Sequence, residues 1–186
     1  MAGMTKPLRP LKPGLSNLGG GIKLLLYTLD QFTADVEWPK RADILTGKSV
    51  VAPTLITTET AARVIFDINK GVKMKSNGKG PTTNQVYDHS FEGAVVNGYT
   101  AEQNEALGNI YNMPCVAIFV LADGTKVVLG STFKPLMIES DYDSGAMSAD
   151  VNGTTLKGMS IQPLDFRPVI LGSAVTIAET TIPAYS

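Results

Sequence analysis

Residue types capable of chemistry occur in this chain in three short groups, and each lacks something its chemistry requires. Gly47-Lys48-Ser49 matches the end of a phosphate-binding loop, where a glycine-rich backbone cradles phosphates and the Lys and Ser hold the γ-phosphate and Mg²⁺. Such a loop needs a glycine five residues before its Gly-Lys. Position 42 is Ala42, and a β-like run follows where a helix should begin, so the stretch reads as an exposed turn. Asp88-His89-Ser90 contains the residue types of a hydrolytic triad. Neighbours on a strand point to opposite faces, so Asp88 cannot orient His89, and no glycine-framed nucleophile occurs. His89 reads as a surface or interface histidine. Asp141-x-Asp143-x-Gly145 opens like a calcium loop, but Gly145 replaces the next oxygen ligand and Asn152 stands where a bidentate Glu must close the site. Cys115, inside an apolar run beside Pro114, reads as a buried, inert thiol. The expectation is no catalytic residue, no metal site and no cofactor.

Charge is distributed in blocks. Lys70, Lys73, Lys75 and Lys79 form a basic stretch with no acid between Asp67 and Asp88. No aromatic interleaves with these lysines to stack bases, which argues against single-strand nucleic-acid binding. Glu139, Asp141, Asp143 and Asp150 form an acidic loop with no cation between Lys134 and Lys157. Solvation of exposed loops accounts for both blocks; alternatively, the Lys-rich hairpin pairs with the acidic segment of a neighbouring copy, a head-to-tail contact that can close a ring. Residues 1–21 are a third block, with Pro7, Pro10 and Pro13, cations at Lys6, Arg9 and Lys12, and no acid before Asp30. That composition favours an extended arm, either loose or ordered against a neighbouring subunit. Lys6, Arg9, Lys12, Lys70, Lys73, Lys75, Lys79, Glu139, Asp141, Asp143 and Asp150 are therefore the subunit-interface candidates.

The elements that must position these groups are mostly short strands. Ile22 to Leu29, Ser49 to Thr58, Ala62 to Ile68, Gly71 to Lys75 and Gln85 to Val96 carry β-type residues, and Ser76 to Pro81 is a cluster of turn formers expected to be a loop. One helix is expected over about 100–112, opened by the capping box Thr100-Ala101-Glu102-Gln103, with Ala106, Leu107, Ile110 and Tyr111 on its apolar face. Pro114 to Ala122 is apolar on both alternating faces and should be covered on two sides, by the helix and by a second sheet. Asp123-Gly124 makes a hairpin into Thr125 to Gly130; Leu136 to Ser140 and Thr155 to Leu164 follow, and Val169 to Ile177 is a strand or docking extension. The fold class is thus mainly β: an antiparallel β-sandwich or flattened barrel with one flanking helix and extended terminal arms. The domain reading is an arm at 1–21, one β-rich domain at 22–171 with a hairpin loop at about 70–84, and a C-terminal extension at 172–186.

With 186 residues, 44% apolar and 18% charged, the chain is long enough to bury one core. Sixteen basic and seventeen acidic residues leave a net charge of −1, which excludes a nucleic-acid polycation. One cysteine and one histidine exclude a disulfide scaffold and a zinc finger. The longest apolar run is too short to span a bilayer. Prolines occupy the place of a signal-peptide apolar core, so classical secretion is not expected.

The order of motifs from Gln85 to Pro168 resembles the structural proteins of tailed bacteriophages, of the tail-tube and neck-ring type. The likeness rests on Phe91-Glu92-Gly93, Thr100-Ala101-Glu102-Gln103, Val116 to Ala122, Asp123-Gly124-Thr125-Lys126-Val127-Val128-Leu129-Gly130, and Asn152-Gly153-Thr154-Thr155-Leu156. The texture is also similar to virion proteins of phages infecting Bacteroidetes, including the crAss-like group. The resemblance implies a non-enzymatic virion protein, assembled in the cytoplasm of a bacterial host into rings of six or twelve copies of itself around the passage of genomic DNA. Its partners would be other neck, tail or capsid proteins, with no membrane. It also implies that the 70–80 hairpin stacks rings, that residues 1–21 form the inter-subunit arm, and that the acidic 139–150 segment lines either a lumen or an interface. A capsid decoration protein and a β-sandwich ligand-binding module are the alternatives.

Overall fold

The computed structural model describes residues 21–45, 50–58, 61–62, 64–67, 73–81, 84–97, 101–108, 110–146, 153–172 and 174–178. Among these, the elements in chain order are β1 (Gly21–Thr28), α1 (Arg41–Leu45), β2 (Val64–Asp67), β3 (Lys73–Lys79), β4 (Val86–Asn97), α2 (Ala101–Gly108), β5 (Cys115–Leu121), β6 (Lys126–Leu129), β7 (Leu136–Asp143), β8 (Gly153–Ser160) and β9 (Val169–Ile170). The described residues are mainly strand with little helix, and the sheet is antiparallel and curls into a half-barrel. Its order is β2-β1-β5-β7-β8-β4-β3, with β6 on the second edge of β5 and β9 beyond it. The mainly β, antiparallel architecture read from the sequence is the architecture found.

β5 organises the sheet. Cys115, Ala117 and Phe119 face one way and Val116, Ile118 and Val120 the other, and all are buried. The first face joins Leu24 and Leu26 of β1 and Leu129 of β6 to Phe91, Leu136, Ile138 and Leu156 from the curled-over half of the sheet. Leu107 of α2 and Ile110 just beyond it close this core. The second face packs on an irregular cover: Phe32, Trp38, Val50 and Ala62 from the chain after β1, and Leu171 and Ile177 from the chain after β9. Trp38 stacks on Phe32 at 5.8 Å, and its indole N–H donates to the Val51 carbonyl at 2.9 Å. Each fully buried Leu, Ile or Phe contributes about 1.5–3 kcal/mol, so the two layers on β5 dominate the stability.

Several expectations are corrected. Ser76 to Lys79 continues β3, pairing Ser76 with His89, Asn77 with Asp88, Gly78 with Tyr87 and Lys79 with Val86. Strong strand formers on β4 override the turn propensity of Ser-Asn-Gly. Val50 to Thr58 is irregular, with single bridges at Val50 and Leu55, because the segment serves as cover and Pro53 has no N–H for a ladder. α2 ends at Gly108 rather than near 112; Asn112 adopts the left-handed region, and Tyr111, expected on the apolar face, is 65% exposed. Glu139, Asp141 and Asp143 lie on strand β7, not in a loop. α1 was not anticipated. The capping residue Thr100, the 1–20 part of the arm and Gly47-Lys48-Ser49 lie outside the described residues.

One close approach sets the spacing of the curled half. A Cβ on Gly158 of β8 would stand 2.2 Å from the Phe91 ring, so that ring occupies the space a side chain would fill. Gly158→Val is expected to lower unfolding stability by about 1–3 kcal/mol, through overpacking of the core. In Gly158→Ala combined with Phe91→Leu, part of the Gly158→Ala cost should vanish. Urea unfolding of the two single variants and the double variant gives the coupling directly, and additive costs would mean that the ring and the glycine do not share this space.

Candidate functional site

The sequence-predicted charged residues lie on the two outer strands of the four-stranded section β7-β8-β4-β3. Alternation along β3 puts Lys73, Lys75, Asn77 and Lys79 on the outer face and Met74 toward the first core. On β7, Ile138 is buried in that core, so Glu139, Asp141 and Asp143 share the outer face. The structure does not bring the two sets together: β8 and β4 separate them.

Two residues that sequence reasoning missed fill the gap. Lys73 pairs in register with Glu92, Glu92 with Lys157, and Lys157 with Glu139. Directly opposed residues share a face, so a row of alternating charge, plus, minus, plus, minus, crosses the four strands. Lys73 and Lys75 both reach the Glu92 carboxylate at 3.7 Å, Lys157 donates to Asp141 at 2.9 Å, and Lys79 pairs with Asp88. The bond from Lys157 to Asp141 raises the ammonium pKa above its ordinary value. Apart from the half-buried Asp88 carboxylate these groups are exposed, and solvent screening leaves such pairs little weight in stability. Strand alternation around Phe91-Glu92-Gly93 was the signal that could have placed Glu92. Lys6, Arg9, Lys12, Lys70 and Asp150 lie outside the described residues.

His89, expected at a surface or interface, is instead fully buried. Its Nδ1 accepts the Gly130 N–H at 3.1 Å, which leaves the proton on Nε2, and Nε2–H donates to the Phe166 carbonyl at 2.8 Å. The Phe166 ring lies edge-on at 5.7 Å. The imidazole therefore ties β4 to the turn after β6 and to the chain before β9. Burial depresses its pKa, opposed by the Phe166 bond and by Asp88. Asp88 points to the other face, as strand alternation requires, and is held by Lys79. Cys115 is buried, and its thiol donates to the Met113 carbonyl at 3.3 Å.

A cleft of about 610 Å³ is lined by Met74 of β3, Tyr87 of β4, Leu121 of β5, Val127 of β6, and Arg167 and Ile170 at β9, among others. The Arg167 guanidinium lies 5.3 Å from the Tyr87 ring centroid. Among the described residues no group of three or more His, Cys, Asp or Glu converges as a metal site, and no helix is long and apolar enough to cross a membrane.

No known family, characterised protein or solved structure matches this chain.

The buried imidazole generates a pH dependence of known sign. The unfolded chain takes up a proton near the ordinary histidine value of about 6.5, whereas the folded chain resists it. Between the depressed folded value and about 6.5 the unfolded state binds more protons, so stability is lost on acidification through that window. Urea midpoints measured from about pH 7.5 to 5 should fall more steeply for the wild type than for His89→Gln, which keeps a donor and an acceptor without titrating. Parallel curves would show that His89 does not drive the slope.

Proposed function

We propose that this protein is a non-enzymatic structural subunit of a tailed-bacteriophage virion, of tail-tube or head-to-tail connector type, that works by assembling copies of itself into rings around a DNA passage. The observation that carries this reading is the open sheet. β3 pairs with β4 on one edge and with no described strand on the other, and β7 meets β5 only at Leu136, leaving the rest of that edge without a described strand. Every described β3 residue except Met74 is exposed, as are Glu139 to Asp143. Exposed strand edges template pairing with another chain unless they are shortened, bulged, covered or charged; here the two edges carry opposite charges, Lys73, Lys75 and Lys79 on β3 and Glu139, Asp141 and Asp143 on β7, so each repels its own kind and attracts the other. The motif order described for residues 85–168 supports the virion assignment, with other neck, tail or capsid proteins as neighbours and the virion as the location. A second reading, a ligand-binding module, draws on the cleft around Tyr87 and Arg167.

The deciding measurement is the mass of the purified full-length chain in solution, by light scattering and native mass spectrometry at low and moderate salt, with negative-stain imaging. Closed rings of six or twelve copies are expected. A monomer under all conditions, together with a ligand-induced thermal shift abolished in Tyr87→Ala, would establish the binding module instead.

A further inference from the structure

Among the described strands, the free edges of β3 and β7 differ in a way that specifies a partner. In the order β7-β8-β4-β3 every neighbouring pair is antiparallel. A second copy placed beside β3 in the same orientation therefore presents its β7 antiparallel to β3 without being turned over. The alternating row ends in Lys73 at one edge and Glu139 at the other, so a copy added head to tail continues the alternation across the junction.

We infer that β3 of one copy pairs edge to edge with β7 of the next, joining their sheets into one. This inference rests on reading the protein as a self-assembling subunit. β5 occupies the β7 edge at Leu136, so only the stretch beyond it can accept a strand. Pairing that stretch with β3 sets Lys73 opposite Asp143, Lys75 opposite Asp141 and Asn77 opposite Glu139. The same register places Met74 against Tyr142 on the inner face, where Tyr142 is 48% exposed in the single chain. Any odd shift turns the lysines away from the acids, because side chains alternate with a period of two. Relative to the row within one chain, the next copy is displaced by four residues, about 13 Å at 3.3 Å per residue; closing a sheet on itself requires a stagger of this kind.

Main-chain hydrogen bonds supply the affinity of such a junction, and the charges decide which edges meet. Two β3 edges brought together set lysine against lysine, and two β7 edges set acid against acid. Like-with-like pairing is thereby disfavoured and the heterologous junction selected.

The test uses the full-length chain with Lys73→Glu/Lys75→Glu, which makes both edges acidic, and Asp141→Lys/Asp143→Lys, which makes both basic. Circular dichroism melts first confirm that each variant is folded. In sedimentation velocity at about 50 and 300 mM salt, each variant alone is expected to lose self-association by about tenfold or more. An equimolar mixture should assemble again as alternating copies, a recovery that damage to the fold cannot produce. If the wild type assembles but either variant assembles alone with unchanged salt dependence, or the folded variants fail to co-assemble, the edge pairing is overturned while self-assembly stands. A wild type that stays monomeric overturns both.

Discussion

A strand with no solvent side governs this structure. Ala117 and Ile118 are adjacent in β5, point in opposite directions and are both fully buried. A single layer cannot achieve that. The sheet must curl so that β4, β7 and β8 cover one face, and another part of the chain must cover the second. The second cover has little regular structure, so its backbone polar groups need partners other than a ladder. They find them on side chains, most of them distant in sequence: Gln31 donates to the Ala61 carbonyl and accepts from the Thr28 amide, and Thr132 accepts from the Trp38 amide and donates to the Val36 carbonyl. Every buried side-chain polar atom described has a partner.

Curling around β5 also explains why the edges of β3 and of the far half of β7 meet no other described strand. β5 uses one edge for β1 and the other for β6, and meets β7 only at its first residue. The branch at that corner lets β7 swing away from β5, freeing its far half, while β3 ends the other side. The charged row between these edges is too exposed to hold the fold together. Its physical role is directional, since it gives the sheet a positive and a negative side.

The parts of the fold legible in the sequence were those where one local pattern had one solution. The double apolar alternation of 114–122 implied two covers, although the second is irregular chain around Phe32, Trp38 and Val50 and not the second sheet expected; Asp123-Gly124 implied the hairpin, and Cys115 implied a buried thiol. The parts that were not legible depended on distant partners. Ser76-Asn77-Gly78 is a turn by propensity and a strand because Val86 to His89 lies beside it. His89 looks exposed in a polar neighbourhood and is buried because Gly130 and Phe166, far away in sequence, satisfy both ring nitrogens. Both charge blocks of the candidate site were visible as blocks. Their opposition across four strands was not, because it requires the strand order and the interposed Glu92 and Lys157.

The pairing of β1 with β5 has a consequence for synthesis. Leu25 lies opposite Ile118, so the apolar β1 leaves the ribosome about ninety residues before its principal partner. At roughly 5–20 residues per second, that interval is several seconds. Until β5 emerges, Leu24, Leu25 and Leu26 form a continuous apolar segment whose native partner among the described strands made by then is β2. A two-stranded ribbon is marginal in water, so between the emergence of β2 and that of β5, about fifty residues later, the nascent chain carries a sticky, half-sheltered β1–β2 ribbon. The strand that completes the core therefore arrives late, and consolidation of the fold waits for the C-terminal half of the protein.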